Sequence, residues 1–222
     1  MLSKFLKSAL LLLVLILFSG CPTPVSSDTE VDDSDITDID VETDTTLYDF
    51  DSDYDGIFAT NDSDVVDEGG ATYWVVKEEA SDSFSTVEVT VEKTSGYNSG
   101  GYGVIFAQED SGTEDFSCLV LMINISGQYC VGLVSDSVFE FIEEWTYFDY
   151  LTQGYSQENT LRVEEDEEAG SFLIYINDSL AYDFEDPSTE PHTGGGHGYI
   201  TVVTPLEDFP NDPVRVYFKE AE

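Results

Sequence analysis

From position 87 the chain alternates apolar and polar residues, Val87-Glu88-Val89-Thr90-Val91-Glu92. A period of two places successive side chains on opposite faces of a strand whose one face is buried. The same alternation recurs at 161–164 and at 214–219. Shorter apolar runs stand at 103–107, 119–123, 172–176 and 199–203. Between them fall turn-forming residues: Ser95-Gly96, Ser111-Gly112, Ser126-Gly127, Ala169-Gly170, Asn177-Asp178 and Gly194-Gly195-Gly196. Many short strands, with a turn every roughly 8 to 14 residues and no sustained helical period, predict an all-β sandwich or jelly roll. Helix should be nearly absent.

The region before this pattern reads differently. Residues 1–20 join a positive start, Lys4 and Lys7, to an apolar run at 9–18. That is the layout of a secretory signal, and the run is shorter than the about 20 residues of a membrane span. It ends in Phe18-Ser19-Gly20-Cys21, which resembles the bacterial lipobox, with Phe18 where Leu is usual. In that motif the cysteine is acylated and becomes the first residue after cleavage, so Cys21 is the candidate lipidation site. A diacylglycerol and an amide-linked chain such as palmitate together suffice for stable anchoring. Residues 22–46 hold seven Asp, two Glu and no basic residue. Such a stretch buries too little to offset its ordering entropy and repels itself, so it is expected to be an acidic disordered tether. The predicted organisation is a leader at 1–20, lipidated cysteine and tether at 21–46, and a β-sandwich domain at 47–222.

Composition narrows the functions. There are 47 acidic against 7 basic residues, a formal charge of −40. Phosphate backbones require clustered Lys and Arg, so nucleic-acid binding is excluded. Yet 41% of the chain is hydrophobic and 13% aromatic, enough to bury a core.

Several segments together carry a family resemblance. They are Gly101-Tyr102-Gly103-Val104-Ile105-Phe106, Leu121-Met122-Ile123-Asn124, Gly127-Gln128-Tyr129, Trp145 and Asn159-Thr160-Leu161-Arg162-Val163. Phe172-Leu173-Ile174-Tyr175-Ile176-Asn177 and Gly195-Gly196-His197-Gly198-Tyr199 follow. In order and spacing they resemble the concanavalin A-like lectin/glucanase superfamily, near its laminin-G-like bacterial members, over about residues 49–219. The resemblance implies a concanavalin A-like β-sandwich whose relatives bind or cleave glycans. Its hydrolases carry an E-x-D-x-x-E strand motif, with carboxylates flanking the glycosidic bond. The nearest match here is Glu164-Glu165-Asp166-Glu167-Glu168, where the final Glu is replaced by Ala169 beside a turn. It reads as a solvated acidic turn, and hydrolase activity is disfavoured.

Three further constellations are candidates for chemistry. Asp51-Ser52-Asp53-Tyr54-Asp55-Gly56, with Asp62 at the twelfth place, fits a D-x-D-x-D-G loop, so calcium is the candidate cofactor. Asp is abundant enough to produce that spacing by chance. His192 and His197 are the only histidines and lack a third nearby ligand, so they read as ordinary loop residues. The segment 145–155 is the densest in rings. Trp145, Tyr147, Tyr150 and Tyr155 are the candidate sugar contacts, because aromatic faces stack on pyranose rings while short polar groups bond hydroxyls. Core packing is the competing use of the same rings. As a strand, 145–150 would put Trp145 and Tyr147 on one face and Phe148 and Tyr150 on the other. Cys118 and Cys130 flank the turn at 124–127. If Asn124 and Gly127 close it, the two thiols point to opposite faces and stay free.

The expectation is thus a lipid-anchored, extracytoplasmic bacterial envelope protein, at the outer membrane or cell surface, whose sandwich binds glycans or other ligands without cleaving them. The alternatives are a glycoside hydrolase with an atypical site and a structural or adhesive lipoprotein that binds proteins.

Overall fold

A computed structural model describes residues 46–49, 56–78, 84, 86–109, 116–135, 138–166 and 170–221. Among them are thirteen strands and one short helix. In chain order these are β1 (Thr46–Asp49), β2 (Gly56–Thr60), α1 (Ser63–Asp67), β3 (Ala71–Glu78), β4 (Val87–Ser95), β5 (Tyr102–Glu109) and β6 (Ser117–Ile123). Then come β7 (Gln128–Ser135), β8 (Val138–Tyr147), β9 (Glu158–Glu165), β10 (Ser171–Ile176), β11 (Ser179–Glu185), β12 (Gly196–Val203) and β13 (Val214–Glu220).

The strands form two sheets with antiparallel neighbours throughout. One runs β1-β2-β13-β4-β9-β10-β11 and the other β3-β12-β5-β6-β7-β8. In β4 the expected alternation holds, with Val87, Val89 and Val91 buried and Glu88, Thr90 and Glu92 half-buried on the other side. β9, β10 and β13 follow the same rule. β5 and β6 are instead buried along almost their whole length. A continuous apolar run is what a strand covered on both faces requires.

Two apolar clusters account for those faces. Between the sheets, Tyr102, Val104, Phe106, Leu119, Leu121 and Ile123 pack with Val89, Leu161, Ile174 and Val216. Phe106 and Phe172 meet edge to face at 5.4 Å, and Tyr199 stacks on Phe218 at 4.5 Å, so each pair joins the two sheets. Fully burying such a ring contributes about 1.5–3 kcal/mol. On the outer face of the six-stranded sheet, Ile105, Cys118, Val120, Met122 and Cys130 are covered by Trp74, Phe116, Phe139 and Trp145.

The turn between β6 and β7 sets a register that differs from the expected one. Asn124 N–H donates to the Gln128 carbonyl at 2.9 Å, and Ile123 lies opposite Tyr129. Gly127 takes φ +88, a conformation glycine adopts without strain, so three residues rather than two make the bend. Cys118 therefore faces Val134 and Cys130 faces Met122, on the same outer face. The thiols are free and buried as expected, but for another reason. Four residues of register separate them, roughly 13 Å along a strand, beyond disulfide reach.

Helix is confined to α1 among the described residues. Asp62 is its N-cap, accepting from Asp64 N–H at 3.1 Å. The strands' two ends are built differently. One end carries α1 and the β4–β5, β6–β7, β8–β9 and β12–β13 connections, and the other the β5–β6, β9–β10 and β11–β12 connections.

Candidate functional site

The first of those ends holds an open groove of about 480 Å³. Its lining comes from connections distant in sequence: Tyr97 and Asn98 after β4, Tyr155 before β9, and Leu206, Glu207, Asp208 and Asp212 between β12 and β13. Tyr97, Tyr155 and Leu206 are 38%, 42% and 62% exposed, respectively. Apolar surface left open beside fixed polar groups is the usual make-up of a small-ligand site.

A buried charged layer holds these loops in place. β4 turns Lys93 inward, fully buried, and its Nζ donates to the carbonyls of Tyr97 at 2.8 Å and Gly100 at 3.2 Å. Burial pushes its ammonium down to about 8, against the opposing pull of Glu207 and Asp212. Glu207 Oε2 accepts the Tyr97 N–H at 2.5 Å, tying the β12–β13 connection to the β4–β5 connection. Its burial raises the carboxyl above the ordinary range, offset in part by that N–H and by Lys93. The Tyr155 hydroxyl donates to the Gly96 carbonyl, and Ser156 N–H to the Lys93 carbonyl at 2.9 Å. Asp208 and Asp212 stay exposed, linked through Asp212 N–H and the Asp208 carbonyl at 2.9 Å.

The four aromatic candidates divide among different surroundings. Tyr155 lines the groove. Trp145 is half-buried on the outer sheet face, where its ring lies against Gly101 beside Met122. Phe148 packs into the core between the sheets, opposite Trp145 as expected. Tyr147, at the end of β8, is 70% exposed. Strand geometry stops there, so Tyr150 belongs to the following turn, 64% exposed and backed by Phe148 at 5.5 Å. Trp145, Tyr147 and Tyr150 are not among the residues lining the groove. Conversely, Tyr97, Leu206 and the three carboxylates carried no local motif. Only the turn at Ser95-Gly96 marked that neighbourhood.

The calcium candidates are largely out of view. Asp51, Asp53 and Asp55 lie outside the described residues. Asp62 is engaged as the cap of α1, and the five residues of β2 put roughly 15 Å between its two ends. Among the described residues no group of three or more His, Cys, Asp or Glu is placed to hold a metal ion. Within the acidic run at 164–168, Glu164 pairs with Arg162 and Glu165 accepts from Gly170 N–H at 3.3 Å. The first lies along β9 itself, and the second spans the turn from β9 to β10.

The histidines are not ordinary loop residues. His192 is 4% exposed at the opposite end of the sandwich. Its Nδ1 lies 2.6 Å from Asp186 Oδ2 and its Nε2 2.9 Å from Ser117 Oγ. Burial alone would raise the Asp186 carboxyl, but bonds from His192 and Ser188 outweigh it and hold it down at about 2. With the imidazole sealed from solvent, the group clamps the start of β6, the end of β11 and the loop before β12. His197 Nε2 lies 3.3 Å from Glu220 Oε1.

Comparison with known proteins identifies the architecture. No protein-family model matches the chain, and no curated protein sequence does. Solved structures do. A carbohydrate-binding module, CBM66, from Bacillus subtilis is similar at a TM-score of 0.53 and 13% identity, over 80% of this chain and 89% of that one. The apo Crh5 transglycosylase is similar at 0.50 and 9%, over 74% and 70%. At such identities the likeness is one of fold, and the fold is the concanavalin A-like β-sandwich.

Proposed function

We propose that this protein is a lipid-anchored component of a bacterial envelope, on the extracytoplasmic side, whose sandwich binds glycans without cleaving them. The groove carries the reading. It offers Tyr97, Tyr155 and Leu206 as exposed apolar surface beside Asn98, Asp208 and Asp212. Carboxylates and amides bond hydroxyls, and rings cover the apolar faces of a sugar. The similar fold of a carbohydrate-binding module agrees with this use, although fold alone does not assign it. Anchoring is supported by the leader and Cys21.

The non-catalytic part rests on the incomplete E-x-D-x-x-E motif, whose final Glu is replaced by Ala169, with the outer face of the six-stranded sheet in agreement. Its central strands present Ile105, Cys118, Val120, Met122, Cys130 and Val134 there. A retaining glycosidase needs two carboxyl groups about 5 Å apart, and an inverting one needs them somewhat further apart. Those positions supply neither.

Affinity electrophoresis of the purified domain through a panel of polysaccharides, with product analysis in parallel, tests the reading. Retarded migration without released sugar is expected, and it should be lost in Tyr155→Ala. Reducing-end release would make the protein an enzyme. Free migration through every polysaccharide would favour a protein-binding or scaffold role.

A further inference from the structure

Resting on the glycan reading, we propose that the groove at the β4–β5 end selects amine-bearing sugar units, such as unacetylated glucosamine, over neutral and anionic ones. The lining is one-sided in charge. Glu207, Asp208 and Asp212 border it, and among the described residues no basic one does. Each of the five cations beyond the leader is placed elsewhere. Lys93 lies beneath the loops with its ammonium spent on two carbonyls. Arg162 is held by Glu88 and Glu164 over the ring of Tyr175. Lys77 lies over Tyr199, and Arg215 and Lys219 are in β13.

An anionic unit would find no positive partner in the groove and would face repulsion from the whole chain. A neutral unit could use the ring faces and the hydroxyl-bonding groups alone. An ammonium gains twice more, from the exposed carboxylates and from the faces of Tyr97 and Tyr155, where a cation is attracted to the ring quadrupole. Glu207 already accepts the Tyr97 N–H, which leaves Asp208 and Asp212 as the discriminating pair. Their attraction is partly solvated, so added salt should weaken it.

Calorimetric titration at pH 6 with a glucosamine disaccharide and with its N-acetylated counterpart decides the matter. The amine form should bind at least about tenfold tighter at low salt, with the advantage shrinking at high salt. Asp208→Asn/Asp212→Asn, isosteric and exposed, should remove the advantage while keeping the far-ultraviolet dichroism. Glu140→Gln/Glu144→Gln on the exposed side of β8 controls for attraction to the acidic surface at large and should leave it intact. Equal affinity for the two sugars would overturn the charge selection and leave glycan binding standing. Equal losses in the groove and β8 variants would overturn the groove as its site. Binding of neither sugar, together with an empty polysaccharide panel, would overturn both readings.

Discussion

Asp186 and Tyr155 show how single side chains fasten this sandwich at its two ends. The Asp186 carboxylate accepts from the backbone N–H and ring of His192 and lies wholly inside. Its folded value, about 2, is below the ordinary 3.8, so the unfolded chain takes up the proton first as pH falls. The stabilisation is therefore full above about pH 4 and disappears as pH drops through 2. At 1.36 kcal/mol per unit it amounts to about 2 kcal/mol. Urea denaturation of Asp186→Asn against the parent should show that gap at pH 6 and little of it near pH 2. A gap independent of pH would mean that the carboxylate charge is not what stabilises the clamp. At the other end, the Tyr155 hydroxyl is an anchor and its ring is open surface. Removing the hydroxyl alone costs about 1 kcal/mol of net hydrogen bonding, and the ring remains available.

At the level of strands, the β6–β7 hairpin determines the behaviour of both thiols. Cys118 and Cys130 face the same side, under Phe139 and Trp145 rather than water. Burial pushes the Cys118 thiol up to about 12 and that of Cys130 higher still. Neither should react with iodoacetamide in the native protein at pH 8, and both should be alkylated in denaturant, as intact mass reads directly. A linked 118–130 peptide in the unreduced protein would contradict this register. The hairpin also shows what could be read from sequence. The Ser126-Gly127 turn was legible, but whether two or three residues make the bend depends on Gly127 adopting positive φ, which composition alone does not reveal. Strands with a fully buried inner face, such as β4, β9 and β13, were plain in the alternation. Edge strands were not, because β8 and β11 leave Phe141, Tyr147 and Leu180 partly in solvent and so have no clean period. The groove was the least legible feature. Tyr97, Tyr155 and Glu207 are brought together by topology, and no local pattern links them.

For the molecule as a whole, the proposed leader and lipid anchor are open to a direct test. Detergent-phase partitioning should place the parent with the lipid phase and Cys21→Ala with the aqueous phase, and retention of that variant in detergent would remove the anchor from the account. The sheet order has a separate bearing on how such a chain reaches its place. β13 pairs with β2 on one side and β4 on the other, so strands from early in the chain wait for one from residues 214–220 before their sheet can close. The groove waits as well, because Glu207 must arrive to hold Tyr97. Pairings this distant fold slowly, on the order of milliseconds to seconds. If the chain is exported N-terminus first, as the proposed location requires, it emerges without a finished sheet or a formed groove until its last strand is through. Under the proposed envelope location, that delay would keep the chain unfolded during transport and would keep the groove unformed until the chain had crossed the membrane.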